Sequence, residues 1–335
     1  GFNNPKKVYF TFADVTSVDG GEGGVGMASM FLRNKYNRNT TNMIKTAMVG
    51  RQPLSKFYRR RGNKLLTFAS QAPGTTNEFH AAMMDSVLAS CIEDQAHAEI
   101  DILSEGECFR DDYWSYMLHF LEGIEVIENF QPSYTRKWNI FSDLRIKQNF
   151  LAKDWLAAQQ FTTKPVKITM PGPLTVATEI SKNLTDNRIL SANDFERLVR
   201  ELVPLINAEI LQATEKGCKH IQVDDPQLAF QLERANIYGI DCMNACFQGV
   251  PEEATRYLHV CRGYTDRESC YADDGKDGKK LGKAAADCYL TLMPLLDQAN
   301  IDVISIENAY HPNPNSLFEI IQNKTLMLGS TKINS

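Results

Sequence analysis

Long apolar runs are missing from the sequence, and none approaches the roughly 20 consecutive residues of a membrane-spanning helix. The first residues, GFNNPKKVYF, lack the apolar core of a secretory signal peptide. The eight cysteines are spread without the spacing of a disulfide scaffold, which indicates a reducing compartment. We therefore expect a soluble protein with no membrane partner, located in the cytoplasm.

Two further ligand classes find little support. The segment DGGEGGVG (19–26) has neither the Lys-Ser/Thr ending of a P-loop nor a GxGxxG fingerprint, so we interpret it as a loop and not a nucleotide site. The net charge is −5, and KFYRRRGNK (56–64) is the one basic cluster. Nucleic-acid binding calls for a broader basic surface, so we expect no nucleic-acid partner.

Strand-like and helix-like segments alternate along the chain, which has 43% hydrophobic and 23% charged residues. The eight strand-like segments are 6–15, 42–50, 100–107, 164–173, 219–226, 252–263, 301–309 and 324–332. Helical patterns, such as those at 77–99 and 192–217, separate several of them. This order is typical of a parallel sheet with crossover helices, and eight units predict an α/β fold of the (β/α)8 TIM-barrel type. A doubly wound open sheet is the alternative, and we expect a single domain over residues 1–335.

His259 and Cys261 stand two positions apart in RYLHVCRGYTD (256–266) and point the same way if this segment is a strand. Neutral imidazole and thiolate suit zinc, although an ordinary buried His and Cys remain the alternative for the pair alone. Glu307 ends the next strand segment along the chain. A carboxylate there would complete a His-Cys-Glu set drawn from two adjacent strands.

Acidic residues follow two of the apolar strand segments, as EGE (105–107) and DDP (224–226). Carboxylates at such positions are costly unless they are paired or bind a cation. Glu107 and Asp224 could hold the ammonium group of an amino acid substrate. The alternative is a basic partner within the protein, such as Arg110.

Six segments together resemble the catalytic barrel of cobalamin-independent methionine synthase, and especially the short, single-barrel relatives of that enzyme. They are TAMVGRQP, QAHAEIDILSEGECFRDD, KITMPGPLTVA, IQVDDPQLA, LHVCRGY and DVISIENA. These segments occur in the family's order, and the resemblance covers residues 42–332. The wider superfamily includes uroporphyrinogen decarboxylase.

The resemblance implies a zinc-dependent methyltransferase of methionine biosynthesis, with a thiol such as homocysteine as acceptor and either a folate or methylcobalamin as donor. It implies that Zn2+ is held by His259, Cys261 and Glu307, and that Glu107 and Asp224 are the catalytic residues and hold the substrate amino group. The implied substrate-binding residues are Val49, Gly50, Arg51, Glu107, Asp224 and Asp225. A zinc-dependent lyase or decarboxylase, or a non-catalytic barrel that has lost a zinc ligand, are the alternative functions.

The chain departs from the family pattern at several places. Arg51 stands where the family has serine, Asp225 stands where it has glutamate, and residues 265–281 form an inserted loop. The family's last strand, which carries a fourth zinc ligand, has no counterpart after LGSTK. Either residues 1–41 supply this last unit, as in a circular permutation, or the sequence is part of a longer chain and these residues are an extension. The permutation places Asp14 at the fourth ligand position, with Cys270, Cys288 or water as alternatives.

Overall fold

The computed structural model describes residues 9–12, 45–50, 78–110, 113–127, 137–263, 284–285, 287–308 and 312–329. For residues 9–12 and 78–83 it describes the backbone alone. The predictions for Asp14, Arg51, Cys270 and the inserted loop 265–281 therefore lie outside the described residues.

Within these ranges the strands are β1 (Tyr9–Phe12), β2 (Lys45–Met48), β3 (Leu103–Ser104), β4 (Leu121–Ile127), β5 (Lys137–Ile146), β6 (Val166–Pro171), β7 (His220–Asp224), β8 (Thr255–Val260), β9 (Val303–Glu307) and β10 (Thr325–Gly329). Eight of them form one parallel sheet in the order β2-β1-β10-β9-β8-β7-β6-β3. Each strand-like segment of the sequence contains one of these eight strands. The predicted α/β class and parallel sheet are confirmed.

The α-helices of the described residues are α1 (Glu78–His97), α2 (Leu151–Gln159), α3 (Pro173–Lys182), α4 (Ala192–Glu215), α5 (Gln227–Phe230), α6 (Leu232–Arg234), α7 (Ile240–Cys246), α8 (Cys288–Leu296) and α9 (Asn315–Ile320). A 3-10 helix spans Tyr116–Phe120, and a π-helical turn spans Ala235–Gly239. In this part of the chain no helix has both the length and the apolar character needed to cross a membrane.

Helix α4 shows how local sequence sets an element. Its N-cap is Ser191, whose hydroxyl accepts a hydrogen bond from the backbone N–H of Asp194 at 3.1 Å. Leu198, Leu202 and Ile206 follow at intervals of four and are buried on one face of the helix. Its buried side packs against the neighbouring helices α2, α3 and α7.

The sheet is curled, because side chains from both ends of the strand order meet in a small apolar cluster. This inner cluster consists of Ala47, Ile102, Tyr257, Val303 and Met327, with Val49 packed against it. The larger apolar cluster contains the buried faces of the helices together with residues on the other face of the strands. Alternation along each strand thus gives the sheet one inner and one outer face.

Strand β1 lies between β10 and β2, with Tyr9 paired to Met327 on one side and to Lys45 on the other. At the far end of the order, Ala47 of β2 and Ile102 form an isolated parallel bridge. The backbone N–H of Ile102 donates to the carbonyl oxygen of Thr46 at 3.0 Å. The two outermost strands of the order, β2 and β3, are therefore neighbours as well.

The antiparallel hairpin of β4 and β5 is an element that the sequence analysis missed. It lies outside the parallel sheet and packs near α4, where Glu201 accepts a hydrogen bond from the backbone N–H of Leu144 at 2.5 Å. The alternation in LEGIEVI was the signal that could have revealed it.

Candidate functional site

The turn after β3 is built to project a carboxylate. Gln95 brackets Ser104, accepting from its N–H at 2.7 Å and donating to its carbonyl at 2.9 Å. Gly106 and Glu107 follow with φ of 70° and 52°. Positive φ is uncommon for a residue other than glycine and concentrates at functional sites. Glu107 is thus held at the carboxyl end of the sheet by a tight, defined turn.

Glu107 meets the end of β2 and the middle of β6. Its Oε1 accepts a hydrogen bond from the hydroxyl of Thr169 at 3.0 Å. A Cβ added to Gly50 would stand 2.8 Å from the same oxygen, so glycine allows this close approach. The structure therefore brings together Gly50 and Glu107, two residues that the resemblance implies for substrate binding.

Arg110 neutralises the neighbouring acid, Glu105. The two side chains form an ion pair at 2.7 Å, and both are almost completely buried. Arg110 also donates to the hydroxyl of Thr169 at 2.9 Å and lies 3.8 Å from Oε1 of Glu107. Arg110, the basic partner considered as an alternative to a bound cation, therefore pairs most closely with Glu105.

Asp224 ends β7 and lies close enough to Glu107 for their charges to interact. Burial, and then the neighbouring Glu107, raise the pKa of the Asp224 carboxyl well above its usual range. A neighbouring negative charge raises the cost of ionising a buried carboxyl group, and a bound cation offsets that cost. The pair predicted to hold an ammonium group is brought together at the carboxyl end of the sheet.

Two inner-face residues that the sequence analysis missed connect these parts. The ammonium group of Lys167 donates to the carbonyl oxygen of Val49 at 3.0 Å and to the side-chain oxygen of Gln222. Gln222 in turn donates to the Val49 carbonyl at 2.8 Å and to Asp224 at 2.6 Å. Burial lowers the pKa of Lys167 to about 8. The signal was polar residues at alternate positions of two apolar strands.

The side chain of Asp225, which the resemblance implies for substrate binding, contacts the start of α3. Its carboxylate accepts hydrogen bonds from the N–H of Leu174 at 3.2 Å and from the N–H and hydroxyl of Thr175 at 3.0 and 2.6 Å. These groups lie in the first turn of α3, and Asp225 is fully buried. Burial raises its pKa to about 7. Both carboxylate oxygens are used by the helix, and substrate binding by Asp225 stays a prediction.

His259, Cys261 and Glu307 lie at the ends of the adjacent strands β8 and β9. Nδ1 of His259 is 2.9 Å from the hydroxyl of Ser305, its register partner, so Nε2 is the ring nitrogen that could bind a metal. Burial, and then Lys167, lower the pKa of His259 to about 3. The imidazole is therefore neutral at pH 7, which is the metal-binding form.

The donor types fit zinc, but the side chains are not assembled around a common point. Among the described residues, no three His, Cys, Asp or Glu side chains form a group that could hold a metal ion. Glu307 lies 3.7 Å from Nε of Arg262, which is buried beside it. Cys288, offered as an alternative ligand, is fully buried at the start of α8, and burial raises its pKa to about 11. The prediction of a zinc site is therefore based on the chemistry of the three side chains and on their positions at the ends of adjacent strands.

Known proteins share this arrangement of segments. The family described as "Cobalamin-independent synthase, Catalytic domain" matches residues 44–238. The matched segment contains Val49, Gly50, Glu107 and Asp224, and it ends before His259.

Among similar proteins, the methionine synthase of Saccharolobus solfataricus is 25% identical over 229 residues, or 66% of this chain. The alignment spans 63% of that relative's length, which is less than two thirds. The methionine synthase of Sulfurisphaera tokodaii is 24% identical over 282 residues, covering 83% of this chain and 72% of the relative.

Solved structures give the same picture of the fold. A B12-independent methionine synthase from Shewanella sp. W3-18-1, in complex with selenomethionine, superposes with a TM-score of 0.62 at 22% identity, covering 78% of this chain and 73% of the other. A structure from Listeria monocytogenes, described as a "Putative Vitamin-B12 Independent Methionine Synthase", gives a TM-score of 0.57 at 16% identity over 80% of this chain and 76% of the other. At these identities the likeness concerns the fold.

Proposed function

Because the chain belongs to the family of the cobalamin-independent synthase catalytic domain, we propose that it is a methyltransferase whose acceptor is a thiol such as homocysteine. The observation that carries this proposal is the convergence of Gly50, Glu107 and Asp224 at one end of the sheet. An amino acid thiol presents an ammonium and a carboxylate on one carbon. Two buried carboxylates beside a glycine-containing backbone segment suit such a head group.

We propose that the sheet forms a closed (β/α)8 barrel in which residues 1–41 supply the last unit. Supporting this, β1 pairs with both β10 and β2, and the Ala47–Ile102 bridge joins β2 to β3. In a barrel of this type the site lies at the carboxyl ends of the strands. Of the proposed substrate contacts, Val49, Gly50, Glu107 and Asp224 lie at or just after the carboxyl ends of β2, β3 and β7.

In this proposal each residue of the site has a defined task. Glu107 and Asp224 bind the substrate ammonium, and Val49 and Gly50 receive the carboxylate together with Arg51. This grip orients the acceptor sulfur toward the ends of β8 and β9. Holding both reactants in place removes much of the entropic barrier to methyl transfer.

His259, Cys261 and Glu307 would hold the zinc ion. When bound, zinc favours the thiolate form of a sulfur ligand at neutral pH, and a thiolate is the nucleophile that methyl transfer needs. The fourth position falls to Asp14 if the permutation holds. The methyl donor is a small molecule, either a methylated folate or methylcobalamin.

An assay of methionine formation tests the proposal. The chain is incubated with homocysteine and either methyltetrahydrofolate or methylcobalamin in zinc-containing buffer. We expect Glu107→Gln and Asp224→Asn to lower kcat/KM by at least about 100-fold, since each removes a charge that binds the ammonium. Glu122→Gln, on the exposed side of β4, is the control and should retain activity. Absence of methionine with both donors would rule out methyl transfer to homocysteine from these donors.

Metal analysis tests the zinc proposal separately. We expect about one zinc per chain in the wild type and loss of most of it in His259→Ala, because a three-residue site rarely survives loss of its imidazole. His220→Ala is the matched control, since His220 lies on the adjacent strand and its Nδ1 is 2.9 Å from the hydroxyl of Tyr257. Equal zinc content in both variants would contradict the assignment.

A further inference from the structure

Lys167 is a lysine in an unusual place. It is fully buried on the inner face of β6, where an ammonium group is costly unless several partners compensate it. Its partners are the Val49 carbonyl, the Gln222 side chain and, 5.3 Å away, the ring of Tyr257. None of these is a carboxylate in direct contact. The hydrogen bonds of Lys167 therefore go to neutral groups, while nearby carboxylates, Asp224 foremost, compensate its charge without contacting it directly.

Gln222 links Lys167 to Val49 and Asp224 by hydrogen bonds. Because its side-chain oxygen accepts from Lys167, its NH2 group must face the other way. That NH2 group donates to both the Val49 carbonyl at 2.8 Å and Asp224 Oδ1 at 2.6 Å. One amide thus touches the end of β2 and the end of β7 simultaneously.

We propose that Lys167 is a positioning residue that, through Gln222, couples the two halves of the amino acid subsite, so that the site recognises an α-amino acid head group as one unit. This inference rests on the proposed function, in which Asp224 receives the ammonium and the Val49–Gly50 segment receives the carboxylate. The Lys167–Gln222 pair fixes the spacing between those two receptors.

The effect on the carboxylate side follows from peptide geometry. A trans peptide points its C=O and N–H in opposite directions. Lys167 and Gln222 both draw the Val49 carbonyl toward themselves, so the N–H of Gly50 is turned away from them. That orientation offers an incoming carboxylate a donor and keeps the repulsive carbonyl oxygen engaged elsewhere. Without Lys167 the peptide loses one of the two hydrogen bonds that hold it.

A chemical double-mutant cycle tests the coupling. Binding of L-methionine and of 3-(methylthio)propylamine, which is methionine without its carboxylate, is measured by calorimetry in zinc-containing buffer. The proteins are the wild type, Lys167→Met and the control Lys164→Met. Lys164 lies three residues earlier in the same segment and likewise donates to a backbone carbonyl, that of Ile100, at 2.8 Å.

We expect the wild type and Lys164→Met to prefer methionine over the amine by at least about tenfold, and Lys167→Met to lose most of that preference. A uniform weakening of both ligands, or an unchanged preference, would overturn the inference, because a merely structural lysine would not affect the carboxylate selectively. If the wild type binds neither methionine nor homocysteine, the proposed function itself fails, and this result is distinct from the other two.

Gln222→Met provides a second variant that leaves the number of buried charges unchanged. It removes the link to Asp224 and one of the two hydrogen bonds to Val49. We expect the same loss of preference for the carboxylate, and far-UV circular dichroism with urea unfolding establishes that each variant is folded. If Lys167→Met does not fold, Gln222→Met decides the question alone, and a wild-type preference in it overturns the inference.

Discussion

Gly50 and Gly172 each face a carboxylate at the carboxyl end of the sheet, and the two contacts differ in kind. A Cβ on Gly50 would stand 2.8 Å from Oε1 of Glu107, which is the far end of a side chain. A Cβ on Gly172 would stand 2.4 Å from Cβ of Asp225, which is the first atom of a buried side chain. The first carboxylate can swing aside, whereas the second cannot move without its backbone.

Gly50→Ala should therefore affect binding more than stability. We expect the affinity for methionine to fall by about tenfold because Glu107 is displaced, while the free energy of unfolding changes by less than about 1 kcal/mol. Gly172→Ala is the matched comparison and should lose about 2 kcal/mol or more, as overpacked cores do. Calorimetry and urea unfolding measure the two effects. Equal losses of stability in both variants would contradict the distinction.

Site residues could be predicted from the sequence when the neighbouring residues in the chain reveal their role, and could not when that role depends on a distant segment. Glu107 and Asp224 follow apolar strands directly, and parallel strands end at one edge, so their convergence could be expected from the sequence. Lys167 and Gln222 were not singled out because their role depends on the strand opposite them. Asp225 was assigned to the substrate from the resemblance, and its contact with the first turn of α3 could not be read from the sequence.

At the scale of elements, the N-terminus of α3 is capped by a side chain from another βα unit. Its N-cap residue is Gly172, which has no side chain to accept the first N–H groups. Asp225, from the segment after β7, accepts those of Leu174 and Thr175 instead. The helix is thereby tied to the neighbouring βα unit as well as to its own.

Asp225→Ala should accordingly lower the free energy of unfolding by about 1–3 kcal/mol, since the helix loses its cap and buried N–H groups lose their acceptor. Ser191→Ala, which removes the exposed N-cap of α4, is the control, and we expect a loss of about 1 kcal/mol. Urea unfolding of both variants measures the difference. A smaller loss for Asp225→Ala than for Ser191→Ala would argue against the buried cap.

Helix α2 carries a buried acid whose pKa sets a pH dependence. Burial raises the pKa of Asp154 from its ordinary 3.8 to about 7. Between those values the folded protein holds a proton that the unfolded chain releases, so stability falls as pH rises, by about 1.4 kcal/mol per pH unit. Below pH 4 both states hold the proton and the contribution is fully present.

Asp154→Asn removes this titration, so we expect the variant to gain stability relative to wild type between pH 4.5 and pH 6.5. Urea unfolding at both pH values gives the difference, and other groups that titrate in this interval, such as Asp225, cancel because both proteins contain them. Asp186→Asn, at an exposed position, controls for the change of charge. If the free energy of unfolding changed equally with pH in wild type and Asp154→Asn, the raised pKa of Asp154 would be contradicted.

The elements themselves were largely predictable, because buried strands and amphipathic helices have distinct periods. The β4–β5 hairpin escaped since the resemblance to a barrel leaves no place for an extra antiparallel pair. Strand β3 was expected to be long, but two residues of it pair regularly, because the turn at Gly106 and Glu107 follows at once.

For the molecule as a whole, β1 makes Tyr9–Phe12 part of the sheet. Removal of residues 1–14 would take away this strand and expose the edges of β10 and β2, and such edges promote aggregation. We expect a lower midpoint of thermal unfolding and faster proteolysis. Removal of residues 1–8 alone retains β1 and should leave both properties close to those of the full chain. Identical behaviour of the two truncations would count against the pairing.

The pairing of Tyr9 with Met327 also has a consequence for the order of events during synthesis. Strand β1 leaves the ribosome among the first segments of this sequence, whereas its partner β10 is among the last. Contacts between distant segments form slowly, and domains fold as units once their parts are present. The sheet therefore cannot be completed before β10 has been synthesised, and a chain interrupted before β10 would lack this partner of its first strand.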